Sequence, residues 1–344
     1  MTDTVTVMGC DPHLDTISVS ITDGLGRELQ AVTVSNDRDG WCQAAELADR
    51  FGVSRVGIEG ASGYGVNLSR VLDGVGFTVV EVPTRLTARR RRTDGAGKTD
   101  PGDARTIGRA VAAGEGHRWA DTPELEIIRV LTVRRDQLVG AQTADINYLR
   151  SLLADIDPAI AARLGRVRSR RRLETFLTFG VDNPSPYQQT VIGLIRDTAR
   201  TCIDRFAQIR RLETELEAAL PAAGRELVDR IVGCGLVTAS MILAQIAGTA
   251  GFDTDSRFSA WSGISPLDAS SGRQQRHRLN PGGNRQLNRA IHTIVITQHQ
   301  SKGQAHHYIN RRIQEGKTRK EAIRITKRYV ARQVWKILRD HQLT

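Results

Sequence analysis

The chain has 344 residues, of which 40% are hydrophobic, and it carries 49 Lys and Arg against 38 Asp and Glu. The hydrophobic share is ordinary for a globular protein, and the length exceeds what one compact core usually fills, so we expect two or three folded domains. The net charge of +11 favours a polyanionic partner.

This charge is distributed unevenly. Residues 1–84 contain 5 Lys and Arg against 12 Asp and Glu, whereas residues 273–344 contain 17 against 3. A segment as basic as the second one is expected to contact the phosphates of nucleic acid. A solubilising surface is the alternative, and the shortage of acidic residues nearby disfavours it.

The cysteines and the hydropathy pattern exclude several further classes. The four cysteines, Cys10, Cys42, Cys202 and Cys234, are widely spaced and form no Cys-x-x-Cys pair, which disfavours a zinc knuckle and a disulfide scaffold. No segment approaches the ~20 apolar residues of a membrane span, and the first residues do not resemble a signal peptide. We therefore expect a reduced, cytoplasmic protein with no membrane contact.

The first part of the chain predicts a mixed β-sheet. Alternating residues over 4–9, 16–22 and 27–34 indicate three antiparallel strands, followed by a helix over about 39–51, a strand over 55–59, a helix, and a strand over 77–82. A right-handed crossover allows the fourth strand to lie parallel beside the first. Asp11 and Glu59 would then meet at the carboxyl edge, where open α/β sheets bind ligands.

Two further acids, Asp100 and Asp103, mark a predicted helix start, with Asp100 as N-cap and Pro101 at the first helical position. Their spacing places both on one side of the first turn. Acids at helix starts are common, so this pair alone favours a structural role. Together with Asp11 and Glu59, however, it would supply hard oxygen ligands for magnesium, and we expect these four acids to be catalytic.

A basic segment from Arg85 to Lys98 connects the sheet to this helix, and it contains six basic residues and two glycines. We expect it to contact phosphates through Arg89, Arg90, Arg91, Arg92 and Lys98. A merely solvated run of charges is the alternative interpretation.

Two long helices are predicted over about 123–155 and 185–220. Apolar residues of the second recur at steps of three and four, which is typical of a coiled-coil seam: Ile192, Ile195, Ala199, Cys202, Phe206, Ile209, Leu212, Leu216 and Leu220. The seam can pair the two helices within one chain, which is the simpler interpretation, or it can join two copies. The arginine-rich stretch between them, over 163–172, fits nucleic-acid contact or partial disorder.

The C-terminal part contains a glycine turn. Gly233 and Gly235 have the Gly-x-Gly spacing of a helix-hairpin-helix turn, whose backbone amides bind phosphate. A tight turn between two helices that binds no ligand would use the same glycines.

A loop rich in serine and arginine follows. Ser271 lies near Arg273, Arg276 and Arg278. Guanidinium groups there would bind a scissile phosphate and lower the free-energy cost of ionising a hydroxyl. The chemistry alone does not distinguish Ser271 from Ser270 or Ser265.

An ordered set of motifs runs through almost the whole chain. It comprises Asp11, then Gly57-Ile58-Glu59 followed by Gly63 and Tyr64, then Lys98-Thr99-Asp100 with Asp103 and Ala104, then the Gly-x-Gly turn, and finally Gly263, Pro266, Ser271 and Gly272 followed by Gly283 and Asn284. In this order the motifs resemble the insertion-sequence 110 family of transposases. The combination is far more specific than any one motif.

The resemblance implies an α/β domain followed by all-α regions. These would be a RuvC-like domain with the RNase H fold over 1–120, a helical coiled-coil region over 121–222, and a mainly helical C-terminal transposase domain over 223–344. It also implies that Asp11, Glu59, Asp100 and Asp103 form the metal site and that the serine nucleophile is Ser271.

The same resemblance implies the partners. Family members recombine donor and target DNA under the direction of a structured noncoding bridge RNA. We therefore expect a homo-oligomer, from dimer to tetramer, in which the acids of one copy meet the serine of another. The chain departs from the family pattern at Asn288, a position that is often basic in relatives, and Arg285 and Arg289 remain candidate phosphate contacts.

The sequence thus predicts a transposase in which magnesium positions the scissile phosphate while Ser271 attacks it and becomes linked to DNA. One alternative is a RuvC-like endonuclease that uses water as the nucleophile, and it would form no covalent adduct. The other is a noncatalytic nucleic-acid-binding protein whose acids are caps and turn residues. In that case, replacing Asp11 or Glu59 would change no activity.

Overall fold

A computed structural model describes residues 5–84, 86–88, 100–156, 170–265, 267–268, 277–278, 283–302 and 304–343. Its N-terminal part is built on a mixed sheet. The strands are β1 (Thr6–Pro12), β2 (Thr16–Thr22), β3 (Glu28–Ser35), β4 (Val53–Ile58), β5 (Thr78–Glu81) and β6 (His117–Arg118). Their order across the sheet is β3-β2-β1-β4-β5-β6.

The strand directions confirm the predicted topology. β1, β2 and β3 form an antiparallel meander, and β4 and β5 are parallel to β1. A three-stranded meander followed by two parallel crossovers is the arrangement of the RNase H-like fold, as expected. β6, which the sequence patterns did not predict, adds antiparallel to β5 over two residue pairs.

Three helices of this part are α1 (Arg38–Arg50), α2 (Val66–Gly74) and α3 (Asp100–Ala112). α3 packs directly on β1 because glycines remove the side chains between them. A Cβ atom on Gly9 would lie 2.1 Å from the Ala104 carbonyl oxygen and 2.4 Å from the Gly108 nitrogen. Ile107 and Val111 of α3 are fully buried against the same face of the sheet.

The middle of the chain contains the two predicted long helices, α4 (Pro123–Ile156) and α6 (Pro186–Ala219), with the short α5 (Arg170–Glu174) between them. A capping box of Ser185 and Gln188 begins α6. α4 and α6 pack along each other within one chain. Most of the predicted seam is buried: Ile192, Ile195, Ala199, Cys202, Ile209, Leu216 and Leu220.

The C-terminal part is mainly helical, as predicted. Its elements are α7 (Ala222–Arg230), α8 (Leu236–Ile246), α9 (Asp255–Trp261), the strands β7 (Leu267–Asp268) and β8 (His277–Arg278), α10 (Arg285–Gln300), α11 (Gln304–Gln314) and α12 (Arg319–Asp340). Its apolar core also includes Leu125 and Ile128 of α4 and Leu216 of α6. None of the helices in the described part of the chain is long and apolar enough to cross a membrane.

The sheet and the C-terminal part are joined directly. The Ala250 N–H donates to the Arg118 carbonyl at 2.9 Å, next to an antiparallel bridge between Trp119 and Thr249. The Trp261 indole N–H lies 3.1 Å from His117 Nε2. The C-terminal end of α9 is therefore anchored to the edge of the sheet.

Candidate active site

Asp11 and Glu59 lie side by side at the carboxyl edge of β1 and β4. Asp11 lies within β1 rather than after it, because β1 continues to pair with β2 as far as Pro12 opposite Ile17. On its other side, β1 stops pairing with β4 at Cys10, and the Glu59 N–H donates to the Cys10 carbonyl at 3.2 Å. The structure thus brings together these two acids, as the sequence predicts.

The first turns of α3 approach the same edge. Asp103 precedes Ala104, whose carbonyl is packed against Gly9, two residues before Asp11. Asp103 is 7% exposed and Asp11 is 9% exposed. The helix begins at Asp100, one residue earlier than predicted, and the side chain of Asp100 lies outside the described atoms. The close packing of α3 on β1 therefore places Asp103 near the carboxyl edge of β1 and β4. We call this edge, with Asp11 and Glu59, the acidic edge.

Three neighbouring side chains that the sequence did not reveal support the two strand acids. Thr87 Oγ1 lies 2.8 Å from Glu59 Oε2, and His13 Nε2 lies 3.4 Å from Asp11 Oδ2. The Glu81 carboxylate accepts the N–H groups of Gly60 at 3.2 Å and Ala61 at 2.6 Å.

Glu81 has a perturbed carboxyl group. Burial raises its pKa to about 7, with a smaller contribution from the charge of Glu59, while the backbone N–H bonds act in the opposite direction. The sequence pattern could have pointed to Glu81, because it lies near the end of the strand predicted over 77–82, beside the strand that leads to Glu59. Glu81 thus holds the backbone that follows Glu59 in place.

Carboxylates are the side chains that suit a hard divalent cation, since Mg²⁺ prefers carboxylate oxygens. Among the described side chains, no group of three or more His, Cys, Asp or Glu is arranged to hold a metal ion. Asp11, Glu59 and Asp103 are the described members of the predicted set, and the side chain of Asp100 is not described.

The predicted nucleophile falls between two short strands. β7 and β8 pair antiparallel, with Leu267 opposite Arg278 and Asp268 opposite His277. We call the segment from Leu267 to Arg278, which has Ser271 between its two paired strands in the sequence, the serine hairpin. Ser270, Ser271, Arg273 and Arg276 lie outside the described residues, as does the side chain of Arg278. The predicted phosphate contacts Arg89, Arg90, Arg91, Arg92 and Lys98 also lie outside them.

The base of the serine hairpin is closely packed. The Asn284 N–H donates to the Trp261 carbonyl at 2.7 Å. A Cβ atom on Gly283 would lie 2.1 Å from both the Cα and the nitrogen of Gly263, so the two backbones touch. Gly263 itself has a φ of 69°, which favours glycine. The described residues before and after the serine hairpin therefore touch each other at Gly263 and Gly283.

Asn288, where the sequence departs from the family pattern, lies at this base. Its side-chain amide donates to the carbonyls of Ser262 at 3.0 Å and Gly263 at 3.1 Å. Its oxygen accepts a hydrogen bond from Lys327, which is 6% exposed. Burial, and then the charge of Arg324, lower the pKa of Lys327 to about 8. Nothing in the sequence pattern singled out Lys327.

The Gly-x-Gly turn joins α7 to α8. Gly233 has a φ of 84°, and a Cβ atom there would lie 3.0 Å from Thr297 Cβ and 3.1 Å from the Ile294 carbonyl oxygen of α10. Its positive φ and this tight packing therefore account for the glycine without a ligand. Gly235 is the N-cap of α8 and faces open space. Phosphate binding at this turn stays a prediction, as it does for Arg285 and Arg289, which are exposed near the start of α10.

Comparison with known proteins identifies relatives for the N-terminal and the C-terminal parts of the chain. A family model described as "Transposase", of the DEDD type of IS110, matches residues 8–158, and one described as "Transposase IS116/IS110/IS902 family" matches residues 225–310. An uncharacterized protein of insertion element IS116 from Streptomyces clavuligerus is 24% identical, covering 93% of this chain and 91% of its own length. A probable family 20 transposase from Pseudomonas aeruginosa is 32% identical, and the alignment covers 41% of each chain.

Among solved structures, RuvC of T. thermophilus in complex with a Holliday junction substrate matches with a TM-score of 0.27 and 16% identity. That match covers 33% of this chain and 99% of the RuvC chain.

Proposed function

This chain belongs to the IS110 family of transposases, and we propose that it cuts and rejoins DNA through a phosphoserine intermediate formed at Ser271. The observation that carries this proposal is the meeting of Asp11 and Glu59 at the carboxyl edge of β1 and β4, with the start of α3 packed beside them. Carboxylates gathered at one edge suit phosphoryl transfer assisted by a divalent metal ion.

The proposed step is an attack of Ser271 Oγ on a DNA phosphate. A bond forms between Oγ and phosphorus, and the bond from phosphorus to the 3′ oxygen breaks. The serine hydroxyl loses its proton, and the departing 3′ oxygen gains one to leave a free 3′-hydroxyl. The ester retains the free energy of the broken bond, so rejoining needs no ATP, as in nucleophilic catalysis generally.

Each protein group has a defined task in this step. Asp11, Glu59, Asp100 and Asp103 would hold magnesium, which supplies charge stabilisation at the phosphate when it is bound. Thr87 and Glu81 fix the Glu59 side chain and the backbone that follows it. Arg273, Arg276 and Arg278 would bind the scissile phosphate, because guanidinium groups match phosphate geometry.

We also propose the larger arrangement that the family resemblance implies. The chain would divide into a metal-binding domain over 1–120, a coiled-coil region over 121–222 and a serine domain over 223–344. A bridge RNA would select donor and target DNA in the cytoplasm, and the acids of one copy would act with Ser271 of another. The excess of 17 basic over 3 acidic residues in 273–344 supports nucleic-acid partners of this kind.

Covalent adduct formation tests the serine assignment. We expect Ser271→Ala to abolish protein–DNA adducts resistant to denaturation, because it removes the attacking oxygen and little else. Ser270→Ala and Ser265→Ala are the matched controls, and we expect both to form adducts at the wild-type rate.

Two outcomes would reverse these assignments. Adducts that persist in Ser271→Ala would move the nucleophile elsewhere. DNA ends with no adduct in the wild type, at full cleavage rate, would support the endonuclease that uses water.

A further inference from the structure

Asn288 forms the link between the serine hairpin and the rest of the C-terminal part. Its side-chain amide nitrogen donates to two carbonyls of the backbone turn before the hairpin, those of Ser262 and Gly263. Its oxygen accepts a hydrogen bond from Lys327, which lies 39 residues further along the chain. The orientation of the amide is fixed by these partners, since two carbonyls can only accept and an ammonium can only donate.

The last helix, α12, also contacts α9, the helix that precedes this turn. Arg328, next to Lys327 on α12, donates to the Asp255 carbonyl at 2.8 Å and to Ser256 Oγ at 3.1 Å. Asp255 and Ser256 begin α9, and α9 ends at Trp261, one residue before the turn. Adjacent residues of α12 therefore hold the start of α9 and, through Asn288, the turn that follows it.

We propose that Lys327 is a positioning residue for Ser271, acting through Asn288 on the base of the serine hairpin. The inference rests on the proposed function, because it assigns a task relative to the serine nucleophile. Lys327 and Asn288 hold the turn at Ser262 and Gly263, and Gly263 in turn touches Gly283 on the other side of the hairpin.

A charged lysine suits this position better than an apolar residue of similar length. Burying an ammonium group is unfavourable, so folding stability alone would favour methionine at a site that is 6% exposed. The charge, however, polarises the amide of Asn288 and strengthens the two hydrogen bonds that it donates to the turn. Lys327 is therefore suited to fixing the geometry of the turn rather than to increasing overall stability.

The titration of Lys327 separates positioning from simple packing. Its pKa of about 8 in the fold is lower than the ordinary value of 10.5. The charge of Arg324 on its own helix acts on Lys327, and the charge of Lys327 in turn acts on His292 of α10. Raising the pH through 8 removes the proton and weakens the hydrogen bond to Asn288, so the rate of adduct formation should fall.

Stability should respond in the opposite direction. The unfolded chain retains the Lys327 proton up to about pH 10.5, whereas the folded chain loses it near pH 8. The unfolded state thus binds more protons over this interval, and the contribution of Lys327 to stability rises with pH. A lysine with a purely structural role would cause no fall in the rate of adduct formation over this pH interval.

The experiment uses the full chain with its nucleic-acid partners and compares Lys327→Met, Lys327→Arg, Asn288→Asp and Ser271→Ala. Lys336→Met is the control, because Lys336 is exposed on the same helix and its replacement removes the same charge. The readouts are the rate of adduct formation from pH 7 to 9.5, DNA affinity and the melting temperature.

We expect Lys327→Met and Asn288→Asp to slow adduct formation by about 10- to 100-fold, as small misplacements of a nucleophile do. DNA affinity should match that of Lys336→Met. Lys327→Arg should keep most of the wild-type rate of adduct formation and remove the fall in that rate near pH 8. Asp at 288 fails because a carboxylate has no N–H to donate to the turn.

Wild-type adduct rates in Lys327→Met or Asn288→Asp would overturn the proposal, as would a wild-type pH profile that Lys327→Arg leaves unchanged. If Lys327→Met does not fold, the pH profiles of adduct formation in the wild type and in Lys327→Arg still test the proposal. Adducts that persist in Ser271→Ala would instead contradict the proposed function, so the two failures are distinguishable.

Discussion

Thr87 has one hydroxyl hydrogen and two acceptors within reach. Its Oγ1 lies 2.8 Å from Glu59 Oε2 and 2.8 Å from the Thr84 carbonyl oxygen. The hydrogen serves one acceptor at a time, and binding of a cation by Glu59 would fix which one. Thr87 is buried, with no exposed surface, so water does not replace it as a donor.

We expect Thr87→Val to weaken divalent cation binding about 10- to 100-fold, because residues that orient a metal ligand commonly contribute that much. The shape of the side chain is kept, and only the hydroxyl is lost. Calorimetric titration with magnesium or manganese measures the effect. Thr143→Val is the control, since Thr143 is exposed on α4 and bonds only to its own helix at Val139. Equal affinities in the two variants would contradict a supporting role for Thr87.

The sequence predicted some of these residues and not others, for a physical reason. Asp11 and Glu59 were found because strand ends and parallel pairing can be inferred from local periodicity. The pair formed by Asn288 and Lys327 joins residues 39 positions apart on different helices, and no periodicity marks such a contact. Thr87 contacts Glu59 across 28 positions and was missed for the same reason.

At the scale of elements, the packing of α3 on β1 decides whether the acids meet. Only glycine at position 9 permits this approach, because a Cβ atom would lie 2.1 Å from the Ala104 carbonyl oxygen. The crossover topology could be predicted from the sequence. The distance between helix and strand could not, because it depends on which glycines face each other.

We expect Gly9→Ala to lower the free energy of unfolding by roughly 1–3 kcal/mol, as overpacking does. It should also weaken divalent cation binding, because α3 and Asp103 must move away from Asp11. Denaturant unfolding and cation titration measure the two effects. Gly140→Ala is the control: a Cβ atom there meets nothing within 4 Å, and alanine should stabilise α4 by roughly 0.5–1 kcal/mol. Unchanged cation binding in Gly9→Ala would show that this packing does not position the acids.

For the whole molecule, we propose that the acidic edge and the serine hairpin are two halves of one catalytic centre. Asp11 and Glu59 lie in residues 1–84, which hold 12 acidic against 5 basic residues, whereas the serine hairpin extends into residues 273–344, which hold 17 basic against 3 acidic residues. The junction between Trp261 and His117 ties the base of the serine hairpin to the sheet of its own chain. If the acidic edge of one copy acts with the serine hairpin of another, as proposed, two or more chains must assemble.

Mixing two inactive variants tests this claim most directly. Asp11→Asn keeps the serine but neutralises an acid, and Ser271→Ala keeps the acids but lacks the nucleophile. We predict that neither variant alone forms a covalent adduct with DNA. We also predict that a mixture does, with the DNA attached only to the Asp11→Asn chain. Adducts formed by Asp11→Asn alone at the wild-type rate, or a mixture that stays inactive, would contradict the account.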